Sequence, residues 1–343
     1  LFQQPILSPK NNDDLTEISV IGGGSWATAL VKILTENKIK VYWYLRRQVQ
    51  VEALNDEGVN PDYLSFVKLD TNYLQASTDL HLVLQQASTI LFVVPSAHFP
   101  TLCSAIDPEL LQGKKVITSI KGTVGEDNVL PSAFVANYFG IEAFRQAVLA
   151  GPCHAEEIGM GKKTYMTICS PNDAFLEQLK PCFLSRYLSI NLHTDICGIE
   201  YAAIYKNVVG LVCGMAKGLN YGDNFMAVLV SNAIYELQLL LDALHVPDSR
   251  IACSSYLGDL LVTAYSSHSR NRSFGELIGR GYSVEQTQNA MSMVAEGYAA
   301  TQGLYQTAKD LGLNMPIINT AYRVLYNHMA VTSEFKLLER NII

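Results

Sequence analysis

The chain has 343 residues, of which 49% are hydrophobic and 17% charged, and a net charge of −7. This length and apolar share fit two globular domains and exclude an intrinsically disordered chain, and the acidic balance argues against nucleic-acid binding. Seven scattered cysteines without a CxxC pair, histidines without ligand spacing, and the lack of any uncharged apolar run near the roughly 18 residues that span a bilayer leave no metal site, disulfide framework or transmembrane segment to expect.

In chain order, residues 1–16 are expected to be a poorly ordered tail. Short β-branched runs then predict strands at 18–21, 40–45, 89–94, 115–120, 147–149 and 165–169. Between them, "SWATALVKILTEN" and "GEDNVLPSAFVANYF" have the apolar spacing of helices. This alternation predicts an α/β domain over 17–195 with a mostly parallel, doubly wound sheet of the Rossmann type. After Asp195 strand signals cease. The chain reads helical to "NTAYRVLYNHMAVTSEFKLLE", which predicts an all-α domain over 196–343.

The first strand runs into Gly22-x-Gly24-x-x-Ala27 and then a helix. The first glycine permits a tight turn, the second lets backbone approach a pyrophosphate, and the small third residue lets helix pack on strand. About 20 residues on, where an acid would bind the ribose 2′-OH of NAD, stand Arg46 and Arg47. An arginine there suits the 2′-phosphate of NADP; two surface arginines on a loop are the other reading. Lys121 and "AGPCHAEE" follow other strand ends and so face the same crevice.

Within "YAAIYKNVVGLVCGMAKG", Lys206 shares a stripe with Ala202, Gly210, Gly214 and Gly218. A solvated stripe would carry Glu, Gln and Lys. Two mid-helix glycines cost about 1 kcal/mol each relative to alanine, so a neighbouring helix or a ligand should approach that backbone. Asp259 and Thr263 lie one helical turn apart. Ser269, Arg270, Asn271 and Arg272 precede a helical stretch, as a phosphate cradle or as a basic surface loop. Cys153-His154 and Glu156-Glu157 read as structural or solvated pairs.

These segments, with "VVPS", "SIKGT", "YKNVVGL", "GLNYGDN", "LGDLLVT", "SRNR", "VAEGYAAT" and "MPI", give the chain a resemblance to the bacterial-type NAD(P)-dependent glycerol-3-phosphate dehydrogenases, from about Ile18 to Tyr326. The resemblance implies reduction of dihydroxyacetone phosphate to sn-glycerol 3-phosphate with NAD or NADP as cofactor, a homodimer, a cytoplasmic location and a role in phospholipid synthesis. By position, it implies cofactor contacts at Gly22, Gly24, Ser25, Trp26, Arg46, Lys121, Ala155, Arg270, Val294 and Glu296. Lys206 would exchange the proton, assisted by Lys121 and Asp259. Substrate would meet Lys121, Gly151, Cys153, Lys206, Asn207, Asp259, Thr263, Ser269, Arg270 and Asn271. The small stripe at Gly210 and Gly214 would leave room for the triose. Cys153 stands where the family usually has Ser or Thr, His154 where it usually has an aromatic residue, and Ala27 where it usually has glycine. The alternatives are another two-domain hydroxy-acid dehydrogenase, which would not need the phosphate cradle, and a non-catalytic nicotinamide sensor, which would leave the lysines without a role.

Overall fold

The computed structural model describes residues 15–246, 251–291 and 295–342; most of the expected tail, and Val294, lie outside the described residues. Eight strands form one sheet: β1 (Glu17–Ile21), β2 (Lys40–Tyr44), β3 (Leu74–Ser77), β4 (Thr89–Phe92), β5 (Lys115–Thr118), β6 (Gln146–Ala150), β7 (Thr164–Cys169) and β8 (Leu188–His193), in the order β3-β2-β1-β4-β5-β6-β7-β8. Every pairing is parallel except β6 with β7. The central strands are apolar along their length because helices cover both faces.

The strand order reverses between β1 and β4, whose register sets Ile21 beside Phe92. Their ends therefore deliver Gly22 and Val93 to the same crevice. Strands β3 and β8 gave no sequence signal. Both are edge strands with exposed positions, at Gln75 and Asn191, so neither has a continuous apolar run. The helix expected from Gly125 begins only at Pro131, because Val124 and Val129 pair across a turn and the proline fits a first helical turn. The final helical reading is broken at Tyr326–Ala330, between Pro316–Leu325 and Val331–Leu338.

Helices make up the described chain beyond Asp195. The first, Ile196–Gly218, starts with Asp195 accepting the Gly198 N–H at 3.0 Å and is buried from Ala202 to Ala216. Val148 and Ala150 of β6 share one core with Ile204, Val208 and Leu211 of this helix. This helix and Asp223–Ala243 are long and apolar enough to cross a membrane by length and composition alone. The first, however, has 83% of its apolar window buried inside the protein and carries the buried charges Glu200 and Lys206.

The glycine stripe faces the helix Arg270–Gly279. A Cβ at Gly214 would lie 2.1 Å from the Arg272 carbonyl oxygen, and one at Gly275 would lie 1.9 Å from that of Leu211. The stripe therefore serves close backbone packing. Gly214 makes no room for a triose, contrary to the expectation above. Gly210 alone meets site residues, with its added Cβ 3.0 Å from Thr263 and 3.3 Å from Asn271.

Candidate active site

The glycine turn is built as its sequence requires. Gly22 has φ +127°, and a Cβ there would sit 2.0 Å from the Val93 carbonyl oxygen. The indole of Trp43 donates to the Gly22 carbonyl at 2.6 Å. Buried Asn60 donates to the Gly23 carbonyl at 3.2 Å and to the Thr28 hydroxyl at 2.9 Å, bracing the turn from outside. Asn60 escaped the sequence reading because it stands alone in a loop.

Gly24 caps the helix Ser25–Glu36 with no side-chain acceptor, and an added Cβ would meet nothing within 4 Å. Unpaired N–H groups facing open space at a helix start fit a pyrophosphate. Arg46 is exposed, just beyond β2, and does not line the cleft described next. Arg47 is spent on Asp62.

The cleft adjoining this turn lies between sheet and helices and has a cavity volume of about 80 Å³. Ser25, Trp26, Lys121, Cys153, Ala155, Lys206, Asn207, Asp259, Thr263, Ser269, Arg270, Asn271 and Glu296 all line it. Gly151 does not. Its φ is +106°, and a Cβ there would lie 3.1 Å from the Tyr165 carbonyl oxygen and 3.3 Å from the Thr167 nitrogen, so the chain turns tightly beside β7.

Lys206 is only 5% exposed, which removes the solvated reading. Its ammonium pairs with Asp259, whose other carboxylate oxygen, Oδ2, is buried without a hydrogen-bond partner among the described residues. The next residue, Asn207, donates to the Lys121 carbonyl at 2.9 Å, so its amide already holds the strand-end loop in place. The Lys121 ammonium lies 4.9 Å from the Trp26 ring centroid, and that indole donates to Ser119 at 2.7 Å. Burial, then the neighbouring Lys206 cation, lower Lys121 to about 8, with Asp259 offsetting part of the shift. Burial also raises the Glu296 carboxyl, which accepts the Ser96 backbone N–H.

Thr263 donates to the Asp259 carbonyl at 2.8 Å. Ser269 caps the helix Arg270–Gly279 by accepting the Arg272 N–H at 3.2 Å, and Asn271 accepts the Gly297 N–H at 2.9 Å. These bonds present a helix start, with Arg270, to the cleft. Arg272 falls outside it. Cys153 donates its thiol to the Tyr165 carbonyl at 3.2 Å, and burial pushes that thiol up to about 12, so it stays neutral. His154, Glu156, Val262 and His268 also line the cleft although the sequence reading gave them no part in the site. Only their placement at the ends of lining elements brings them there.

A glycine turn at a sheet switch point, facing a buried lysine–carboxylate pair, defines a nicotinamide-dependent dehydrogenase with a helical second half. Models of the NAD-dependent glycerol-3-phosphate dehydrogenase N-terminus and C-terminus match residues 17–176 and 195–336. The chain belongs to this family. It is 33% identical over 314 residues to a glycerol-3-phosphate dehydrogenase (NAD(P)+) of Salinibacter ruber, covering 91% of each chain. It is 32% identical over 329 residues to one from Staphylococcus aureus, covering 95% of this chain and 99% of the relative. The crystal structure of the Coxiella burnetii glycerol-3-phosphate dehydrogenase superposes with a TM-score of 0.88 at 26% identity, covering 94% of this chain and 98% of that one.

Proposed function

We propose that this protein reduces dihydroxyacetone phosphate to sn-glycerol 3-phosphate, reversibly, with NADH or NADPH. One observation carries the reading: the buried Lys206–Asp259 pair lines the same cleft as Lys121, the helix start at Ser269–Asn271, Ser25 and Trp26.

A dinucleotide held by the Gly22–Gly24 turn and the Ser25 helix start would supply the hydride to C2 of the substrate. Lys206 gives the C2 oxygen its proton as negative charge develops there, and takes that proton back in the reverse direction. Asp259 fixes the lysine rotamer and balances its charge. Lys121 adds a second cation beside the developing oxyanion, in a site too buried for water to screen it well. Asn207 holds Lys121 in position. The N–H groups at the start of the Arg270 helix, with Ser269, Arg270 and Asn271, take the phosphate and so place C2 against Lys206. The expected cofactor contacts at Gly22, Gly24, Ser25, Trp26, Ala155, Arg270 and Glu296 are proposed on the same basis, with Arg46 beside the ribose.

In this reading residues 17–195 bind the dinucleotide and 196–343 bind the substrate. Supply of a phospholipid backbone precursor, assembly as a homodimer and residence in the cytoplasm are further proposals that rest on the family relationship. Loss of absorbance at 340 nm in NADH with dihydroxyacetone phosphate tests the activity. The two alternatives give different results: a dehydrogenase of unphosphorylated hydroxy acids is indifferent to Arg270→Ala, and a sensor binds NADH without consuming it.

A further inference from the structure

We propose that His154 is a specificity-determining residue whose Nε2 accepts a hydrogen bond from the terminal hydroxyl of the triose phosphate. The inference rests on the functional reading above and extends it to a residue that reading does not use.

His154 follows the turn after β6, directly before the helix Ala155–Gly159, and lines the cleft with Lys206, Asn207 and Asp259. Its ring faces the Val262 backbone carbonyl, which favours an N–H on the nearer nitrogen. The other nitrogen, Nε2, is buried and meets no partner among the described residues. In a neutral imidazole with one N–H, that second nitrogen carries a lone pair and can only accept. Neutrality follows from the surroundings. Burial, with the Lys206 and Lys121 cations and His268, lowers the imidazole to about 4. The His268 ring lies 5.9 Å away, centroid to centroid.

The polar inventory of the cleft decides what meets this lone pair. Lys121, Lys206, Arg270 and the helix-start N–H groups are donors, suited to the phosphate and to the C2 oxygen. The Cys153 thiol is already donated to Tyr165. Dihydroxyacetone phosphate carries one O–H donor, the hydroxyl on the carbon opposite its phosphate, and this donor needs an acceptor. The charged acceptors lining the cleft, Glu156, Glu296 and Asp259, are carboxylates, and that of Asp259 holds the proton-exchanging Lys206. A neutral acceptor binds the hydroxyl without adding charge to that pair. His154 Nε2 meets these requirements, and an orphaned buried acceptor of this kind is costly unless a ligand satisfies it.

The test compares dihydroxyacetone phosphate with hydroxyacetone phosphate, the analogue in which that hydroxyl is hydrogen, in wild type, His154→Phe and His154→Gln. His154→Phe should lower kcat/KM for dihydroxyacetone phosphate about tenfold to a hundredfold while changing that for the deoxy analogue less than about threefold. His154→Gln, which can place an amide oxygen near the Nε2 position, should recover part of the loss. Equal loss on both substrates in both variants would make His154 a packing residue and overturn the proposal, as would no loss on either. A wild-type protein that reduces neither ketone would instead sink the functional reading itself.

Discussion

Asn207 donates its side-chain amide to the backbone carbonyl of Lys121 at 2.9 Å, joining the buried helix to the loop beyond β5. Lys206 and Lys121 thereby line one cleft from two different elements. Replacing Asn207 with Leu leaves that carbonyl unpaired at a cost of about 1–3 kcal/mol and frees the loop. Substrate KM should rise in steady-state assays. Unchanged kinetics would show that the contact does not position Lys121.

Lys206→Ala should lower kcat by about 10²–10⁴-fold while NADH still binds, as followed by nicotinamide fluorescence. The variant also strands Asp259, which is 2% exposed. Breaking a buried pair costs about 3–5 kcal/mol, so a lower melting temperature should accompany the loss. Replacing both partners with apolar residues should recover stability but not activity. Near-normal turnover in the single variant would remove Lys206 from the mechanism.

The two glycines of the nucleotide turn should separate folding from binding. Gly22→Ala places a methyl group 2.0 Å from the Val93 carbonyl at φ +127°. It should destabilise the fold by about 3 kcal/mol or more. Gly24→Ala meets nothing within 4 Å, so thermal stability should stay near wild type. Its methyl group occupies the space offered to the pyrophosphate, and KM for NADH should rise about tenfold or more. Equal melting temperatures for the two variants would contradict this geometry.

Lys121 gives a pH dependence with two signs. Its folded value of about 8 lies below the ordinary 10.5. Between these values the unfolded chain binds the extra proton, so this group makes the free protein more stable as pH rises through that window. The cation that meets anionic ligands is lost over the same range, so affinity for dihydroxyacetone phosphate should fall above about pH 8. Lys121→Met should flatten both trends, in thermal melts and in KM measured from pH 7 to 10. A KM profile that persists in the variant would assign the titration to another group.

Arg46 is exposed beyond β2, where a ribose 2′-phosphate would lie. Arg46→Ala should raise KM for NADPH about threefold to tenfold, the size of a solvent-screened charge-assisted contact, and leave NADH within about twofold. Equal effects on both cofactors would place Arg46 away from the 2′ position.

Much of this protein could be read along the chain. The central strands are apolar runs because both their faces are covered, and the glycine turn and the lysine stripe follow residue type and period. The edge strands β3 and β8 could not be read, since one-sided burial leaves no run to detect. The stripe at Gly210, Gly214 and Gly218 was visible as an oddity, but its partner was not. That required the helix Arg270–Gly279, some sixty residues away, to be laid against it.

The sequence by itself determined the dinucleotide turn, the sheet-then-helices order and the identity of Lys206, because each depends on local sterics or on periodicity within one segment. Tertiary structure alone decided that Lys206 meets Asp259, that Asn60 braces the glycine turn, and that His154 faces the cleft with a nitrogen unpaired among the described residues. Burial and hydrogen-bond partnership belong to pairs of distant residues. They exist only once the chain has closed on itself.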